Sequence, residues 1–122
     1  VPNATESAVA SLQKAVNLDY KNPLYHLALG KAYLEQTRPD LAQRQFEASL
    51  ALDPSQTNAY IYLYISLRHQ GLTAPALEVL KTAKNTVAPN SPDALIIDRE
   101  IKSLNSPAKL PEANFNQILN YK

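Results

Sequence analysis

The side chains that could do chemistry in this chain are few, and their spacing does not gather them into a site. There are two histidines, His26 and His69, and no cysteine among the 122 residues. Metal binding or nucleophilic catalysis needs several such groups that converge on one point. Asp98 and Glu100 are close in sequence but project to different faces of a helix. With only two glycines there is also no glycine-rich phosphate loop. We therefore expect no enzymatic activity, no metal and no cofactor.

The composition is that of one small soluble domain with a packed core. Hydrophobic residues make up 45% of the chain and charged residues 19%, and the net charge is +1. Acidic and basic residues are interspersed, so no basic face is present for nucleic acid or for anionic lipid. No apolar run approaches the ~20 residues that a membrane span needs. We expect neither nucleic-acid binding nor direct insertion into a membrane.

The first residues leave the cellular compartment open. The chain begins at Val1 and contains no methionine, which predicts a processed N-terminus or a piece of a longer protein. The lack of cysteine does not fix the compartment. A soluble cytoplasmic protein is one expectation. If a signal peptide was removed, a periplasmic or secreted protein is the other.

Capping residues and prolines divide the chain into seven helices, with no strand pattern. Asn22 and Ser91 are N-cap residues, each followed by a proline at the first helical position. Pro39 begins another helix, and Pro54 cannot continue one. The predicted helices are residues 5–18, 23–36, 40–53, 57–70, 74–87, 92–104 and 111–121.

Apolar residues of matching size recur every 34 residues. Ala8, Ala42 and Ala76 are in register. Small residues let two helices approach closely, and large residues fill the space beside them. The recurrence therefore predicts stacked pairs of helices. The large residues in register are Leu12, Phe46 and Leu80.

Residues 23–56 resemble one complete tetratricopeptide repeat. The family pattern is W-x2-L-G-x2-Y, then A-x3-F, then P. In this chain it is His26-x2-Leu29-Gly30-x2-Tyr33, then Ala42-x3-Phe46, then Pro54. The resemblance implies an all-α fold, a right-handed α-solenoid of helix-turn-helix repeats with a C-terminal capping helix. Tyr64 and Asp98 stand where Gly30 does, so we expect those two helix crossings to be looser or reshaped.

The resemblance also implies how one domain is divided. Residues 1–22 would supply the second helix of a partial repeat, 23–56 a complete repeat, 57–90 another repeat, and 91–122 a degenerate repeat helix plus a C-terminal helix. In that last helix Phe115, Ile118 and Leu119 share one face. We expect it to pack on residues 92–104 as a cap, and its binding in the groove of the solenoid is the alternative.

The function implied by the resemblance is a scaffold for protein–protein interaction, within a larger assembly or a longer chain. Its partner would be another protein or a peptide, bound in an apolar concave groove as a helix or an extended segment. The alternative for Leu27, Ile61 and Ile65 is a partly core position. The groove residues implied by the family are Leu24, Leu27, Lys31, Leu34, Asn58, Ile61, Tyr62, Ile65, Arg68 and His69.

A second function follows from the first helix. Val9, Leu12 and Val16 recur on one face, and the helix that would pack there is absent from the sequence. Exposed apolar rows favour association. We expect a preceding repeat or a partner chain to cover this edge, with a simple capping helix as the alternative. The chain would then be a structural subunit that assembles an oligomer or a multiprotein complex through its repeat edges.

Overall fold

The computed structural model describes residues 4–106 and 114–119, which form seven α-helices. No β-strand occurs within these ranges, and none of their helices is both long and apolar enough to cross a membrane. The prediction of an all-α chain is confirmed. The helices are α1 (Ala4–Leu18), α2 (Pro23–Glu35), α3 (Pro39–Leu52), α4 (Thr57–His69), α5 (Thr73–Lys84), α6 (Pro92–Asn105) and α7 (Asn116–Leu119).

Helices α2 and α6 begin where the sequence predicts. The Asn22 side chain accepts a hydrogen bond from the Leu24 amide at 3.0 Å. The Ser91 hydroxyl oxygen accepts one from the Ala94 amide at 3.2 Å. A proline follows each cap, at a position whose nitrogen would have no partner within the helix. Local sequence is therefore enough to set these two starts.

Two predicted helices differ from the structure by more than one residue at an end. The helix predicted at 74–87 ends at Lys84, because the amide and the hydroxyl of Thr86 both donate to the Ala83 carbonyl, at 3.0 and 2.6 Å. This side-chain bond replaces the next helical turn. The helix predicted at 111–121 is present only over α7, and residues 114 and 115 lie outside it. Positions 111–113 and 120–121 fall outside the described residues.

The chain divides into two compact units, Val1–Ser55 and Gln56–Lys122. In the first unit α2 packs against both α1 and α3. In the second unit α5 packs against α4 and α6, and α7 packs against α4. Each unit is thus built from helices that are neighbours in sequence, apart from the return of α7 to α4.

In the first unit the crossing of α2 and α3 depends on Gly30. A Cβ atom at this position would lie 2.5 Å from Cε1 of Phe46, well inside contact distance. Phe46 and Ala42 are fully buried on the facing helix. The hydroxyl of Ser49 donates to the Pro23 carbonyl at 2.7 Å and joins the ends of the same two helices. The repeat motif therefore describes a real close packing.

The turns that follow α2 and α4 share one geometry. Thr37 and Gly71, 34 positions apart, have positive φ angles of 54° and 75°. The amide of Arg38 donates to the Tyr33 carbonyl, and that of Leu72 donates to the Leu67 carbonyl, both at 2.9 Å. This is the Schellman arrangement that ends a helix with one left-handed residue. The 34-residue register therefore extends to the backbone of the turns.

Candidate functional site

The groove positions predicted in the first unit differ in their exposure. Leu24 and Lys31 are exposed and Leu34 is half-buried. Leu27 is buried, which agrees with the alternative that it belongs to the core. Only the first three could contact a ligand without rearrangement.

In the second unit Ile61 is fully buried and cannot form the floor of a groove. Ile65 and Arg68 are half-buried, and His69 is exposed. These three side chains, one turn apart or less along α4, face a common pocket. The remaining groove positions on α4, Asn58 and Tyr62, are half-buried and do not line it.

The pocket has a volume of roughly 390 Å³. One wall is the C-terminal half of α4, and the other is the segment that contains α7. Both apolar and polar groups line it, and none of the described residues that do so is acidic. The lining residues are Tyr64, Ile65, Arg68, His69, Asn114, Phe115, Asn116 and Leu119.

The second wall is an apolar segment that packs on α4. The ring of Phe115 meets the ring of Tyr64 edge-on, with centroids 5.5 Å apart and planes at 67°. Phe115 and Ile118 are both buried, and Leu119 is half-buried. The shared apolar face predicted for these three residues is therefore present. Helix α7 packs on α4, and the expected packing of the C-terminal helix on residues 92–104 stays a prediction.

A buried carboxylate holds Tyr64 in place. Glu100 of α6 is only 2% exposed, and its Oε1 accepts a hydrogen bond from the Tyr64 hydroxyl. Nη1 of Arg68 lies 3.4 Å from the same oxygen. A buried charge is tolerated only with such partners. Tyr64, Glu100 and Arg68 therefore form one linked group, called the Tyr64 network below.

The electrostatics of the Tyr64 network fix the direction of its hydrogen bond. Burial, the hydrogen bond to Glu100 and the charge of Glu100 raise the pKa of Tyr64 far above its ordinary value of 10.0. The phenol consequently stays protonated and acts as the donor. The Arg68 guanidinium lies 5.6 Å from the centre of the Tyr64 ring, a distance at which a cation is attracted to an aromatic face.

No motif in the sequence predicts this network, although one signal for it is present. Glu100 follows Ala94 and Ile97 at a spacing of three residues, so it continues the buried stripe of α6. A charged residue on such a stripe indicates a buried partner. The neighbouring Asp98 differs: its Oδ1 pairs with Nζ of Lys84 at 2.7 Å, and both side chains are about half exposed. The two carboxylates do lie on different faces, as predicted.

The first-helix edge is not an exposed apolar row in the structure. Val16 is buried, and Val9 and Leu12 are half-buried, because α1 packs on α2. The most exposed large apolar side chains of this unit lie instead at and beside the turn between the two helices. Leu18 is 88% exposed, Tyr20 64% and Leu24 63%.

The two histidines differ in their surroundings, since His69 is exposed. His26 is buried, and its Nε2 donates to the Tyr20 carbonyl at 2.7 Å, while its Nδ1 lies 2.9 Å from Oε1 of Gln45. It fills the position of the family aromatic, as predicted. Among residues 4–106 and 114–119, no three His, Cys, Asp or Glu side chains are grouped so that they could hold a metal ion. The arrangement in the second unit is suited to binding.

Comparison with known proteins agrees with this architecture. The family model described as TPR repeat matches residues 3–36, which cover α1 and α2. The structure is also similar to that of the Yersinia enterocolitica type III secretion translocator chaperone SycD, with 20% sequence identity and a TM-score of 0.76 over 83% of this chain and 72% of that chain. The fold is a tetratricopeptide-type helical repeat. No curated protein gives a significant match.

The family match also bears on the repeat boundaries. It starts at residue 3, well before the complete repeat that the sequence predicts at 23–56. The division into 1–22, 23–56, 57–90 and 91–122 therefore stays a prediction. A fold of this type is typical of proteins that act by binding other proteins rather than by catalysis.

Proposed function

We propose that this chain is a protein-interaction scaffold that binds an amphipathic peptide or helix, and that α4 of the second unit carries the binding surface. The tetratricopeptide-type fold supports a role in protein interaction in general. One observation supports the finer proposal: α4 already holds an apolar segment next to a pocket, with Phe115 packed on Tyr64. A helix face that accepts one apolar segment is suited to others of the same shape.

The pocket combines the two features that peptide recognition uses. Ile65 gives it an apolar wall on α4, and Arg68 and His69 add polar groups from the same helix. Phe115 and Leu119 are the apolar groups of the segment that now lies against this wall. Apolar contact supplies affinity, while a few placed polar groups fix the orientation of the ligand. Leu24, Lys31 and Leu34 of the first unit are exposed or half-buried and are further candidate contacts.

Selection from a random peptide library displayed on phage tests this proposal. Peptides selected on the wild-type chain are measured against Ile65→Asp, which puts a carboxylate beside the apolar walls of the pocket. We expect affinity to fall at least about tenfold, which corresponds to about 1.4 kcal/mol. The matched control is Val79→Asp, since Val79 is an equally half-buried residue of α5 that does not line the pocket.

For Val79→Asp we expect affinity within about twofold of the wild type, because a residue outside the contact leaves the binding free energy nearly unchanged. Circular dichroism establishes that both variants keep their helices. Full affinity in a folded Ile65→Asp chain would place peptide binding elsewhere.

The second candidate function is assembly through the α1–α2 turn. Leu18, Tyr20 and Leu24 are exposed within seven consecutive residues, and clustered apolar exposure marks interaction sites. Sedimentation over a wide concentration range tests this for self-assembly. We expect association of the wild-type chain and a monomer for Leu18→Lys with Leu24→Lys. A wild-type chain that stays monomeric would remove self-assembly from consideration.

A further inference from the structure

We propose that residues 114–119 are a displaceable ligand of α4, and that the partner is a helical peptide with an aromatic residue followed by aliphatic residues three and four positions later. This inference rests on the proposed function, because it names what the α4 surface binds. It adds that the chain occupies its own site until a partner arrives.

The first support is the way the segment is seated. Phe115 contacts the Tyr64 ring, Ile118 is buried, and Leu119 lines the pocket. These residues stand at i, i+3 and i+4, the spacing by which grooves recognise amphipathic helices. No residue from Asn114 to Leu119 is charged. The segment therefore shows directly which pattern this face of α4 accepts.

The second support is that few residues in the described part of the segment, 114–119, are buried. Over these positions the helical stretch α7 is four residues long, and isolated helices shorter than ~12–15 residues are marginal in water. Its helical form must therefore depend on contact with α4. Asn116 and Gln117 are exposed, so the attachment rests mainly on Phe115, Ile118 and Leu119. Segments with few buried contacts open at a small fraction of the global stability.

The third support is that the surface underneath is held independently of the segment. The Tyr64 hydroxyl is bonded to Glu100, and Arg68 lies over the Tyr64 ring. Both partners belong to helices α6 and α4, which remain when the segment leaves. A preorganised surface loses less on binding a new ligand.

The pocket beside the segment offers a partner contacts that the segment itself does not fill. It is open in the chain with residues 114–119 in place, so a longer helix with the same pattern can add contacts to Arg68 and His69. The segment and the partner compete for α4, and the occupancy of the segment determines how far the partner's apparent affinity falls. If the segment is seated for 90–99% of the time, the apparent affinity for a partner falls roughly 10- to 100-fold.

The direct experiment titrates a fluorescent peptide with the sequence of residues 111–122 into the full chain. Phe115→Ala with Ile118→Ala weakens the segment in the chain, and we expect this variant to bind the peptide at least about tenfold more tightly than the wild type. The matched control is Asn116→Ala with Gln117→Ala, which changes two exposed residues of the same segment. It should bind like the wild type. A peptide carrying the two alanines of the first variant should not bind.

Equal affinity of the wild type and a folded Phe115→Ala, Ile118→Ala chain would overturn the proposal and make the segment a fixed part of the core. A wild-type dimer that the same double substitution converts to a monomer would also overturn it, because the face would then hold the segment of a second copy.

A second experiment does not depend on the folding of that variant. The natural chain has no cysteine, so His69→Cys and Asn116→Cys, on opposite walls of the pocket, can be joined specifically by a reducible bismaleimide linker. With the segment locked, we expect binding of a library-selected peptide to fall at least about tenfold and to return when the linker is cleaved.

Unchanged binding in the locked chain would refute displacement. If those same peptides still lose affinity with Ile65→Asp, the proposed function stands and only this inference fails. If they are indifferent to Ile65→Asp as well, the proposed function fails too.

Discussion

Two helix crossings at the same register position are built in opposite ways. In the first unit the position is Gly30, and Phe46 of α3 fills the space that a side chain would need. In the second unit the position is Tyr64, and the residue in register with Phe46 is the smaller Leu80. Tyr64 is fully buried, with Glu100 and Arg68 bonded or stacked around it.

The difference shows that the same register position can close a helix crossing in one unit and provide a contact surface for another segment in the other unit. At the Gly30 crossing Phe46 leaves no space for a side chain at position 30. The Tyr64 position carries a ring whose edge receives Phe115 and whose hydroxyl is held by a buried carboxylate. The sequence predicts a looser or reshaped crossing at Tyr64, and the structure has the reshaped form, in which Glu100 of α6 and Phe115 contact Tyr64.

The largest expected effect comes from removing the carboxylate that bonds to Tyr64 in the second unit. Glu100→Ala removes the acceptor of the buried Tyr64 hydroxyl and the partner of Arg68. Breaking a buried pair costs about 3–5 kcal/mol, and we expect about 3 kcal/mol because Arg68 is 35% exposed and can reach water. Urea unfolding followed by circular dichroism measures it.

The matched control for Glu100 is Glu78, an exposed carboxylate of α5 that pairs with Lys81 at 3.3 Å. Glu78→Ala should change the free energy of unfolding by less than about 0.5 kcal/mol. Similar losses for the two variants would mean that Glu100 does not anchor the second unit.

The next prediction concerns the close crossing of α2 and α3 at Gly30. Gly30→Ala places a Cβ atom against Phe46, and overpacking of this kind costs about 1–3 kcal/mol. In a Phe46→Leu background, which copies the Leu80 of the second unit, the added cost should fall below about 1 kcal/mol. A double-mutant cycle from urea unfolding measures the coupling.

Additive effects in that cycle would show that Gly30 and Phe46 are not in the contact described. The crossing would then owe its closeness to other residues.

The smallest effect compares the two turns. Thr37 is a β-branched residue at a φ of 54°, where Gly71 has 75°. Such strain costs about 1 kcal/mol or more for a branched side chain. Thr37→Gly should therefore stabilise the chain by about 0.5–1 kcal/mol, and Gly71→Thr should destabilise it by a similar amount. Opposite signs in thermal unfolding are the expected result, and a loss in both variants would contradict the shared geometry.

Local signals in the sequence predicted most of the fold. Asn22 and Ser91 cap helices where expected, and the small and large residues of the repeat pattern predicted closely packed pairs of helices. The end of α5 was misplaced because the bonds of Thr86 to the Ala83 carbonyl compete with helix continuation. No propensity or periodicity signal describes that competition.

The candidate site was predicted only in part. Ile65, Arg68 and His69 are three of the groove positions taken from the family pattern, and they line one pocket. Their contact with a partner stays a prediction. The pairing of Tyr64 with Glu100 joins residues 36 positions apart, and the packing of Phe115 on Tyr64 joins residues still further apart. Such contacts depend on tertiary structure, which repeat spacing alone does not specify once the repeat becomes irregular.

Hydrogen exchange on the full chain, with and without a saturating library-selected peptide, tests most directly the claim that α4 binds the partner. We predict slower exchange in residues 65–69 and faster exchange in residues 116–119, because the peptide covers α4 and releases the segment. Residues 18–25 should not change. Slower exchange at residues 18–25, with α4 and residues 116–119 unaffected, would contradict the account and place the interaction at the α1–α2 turn.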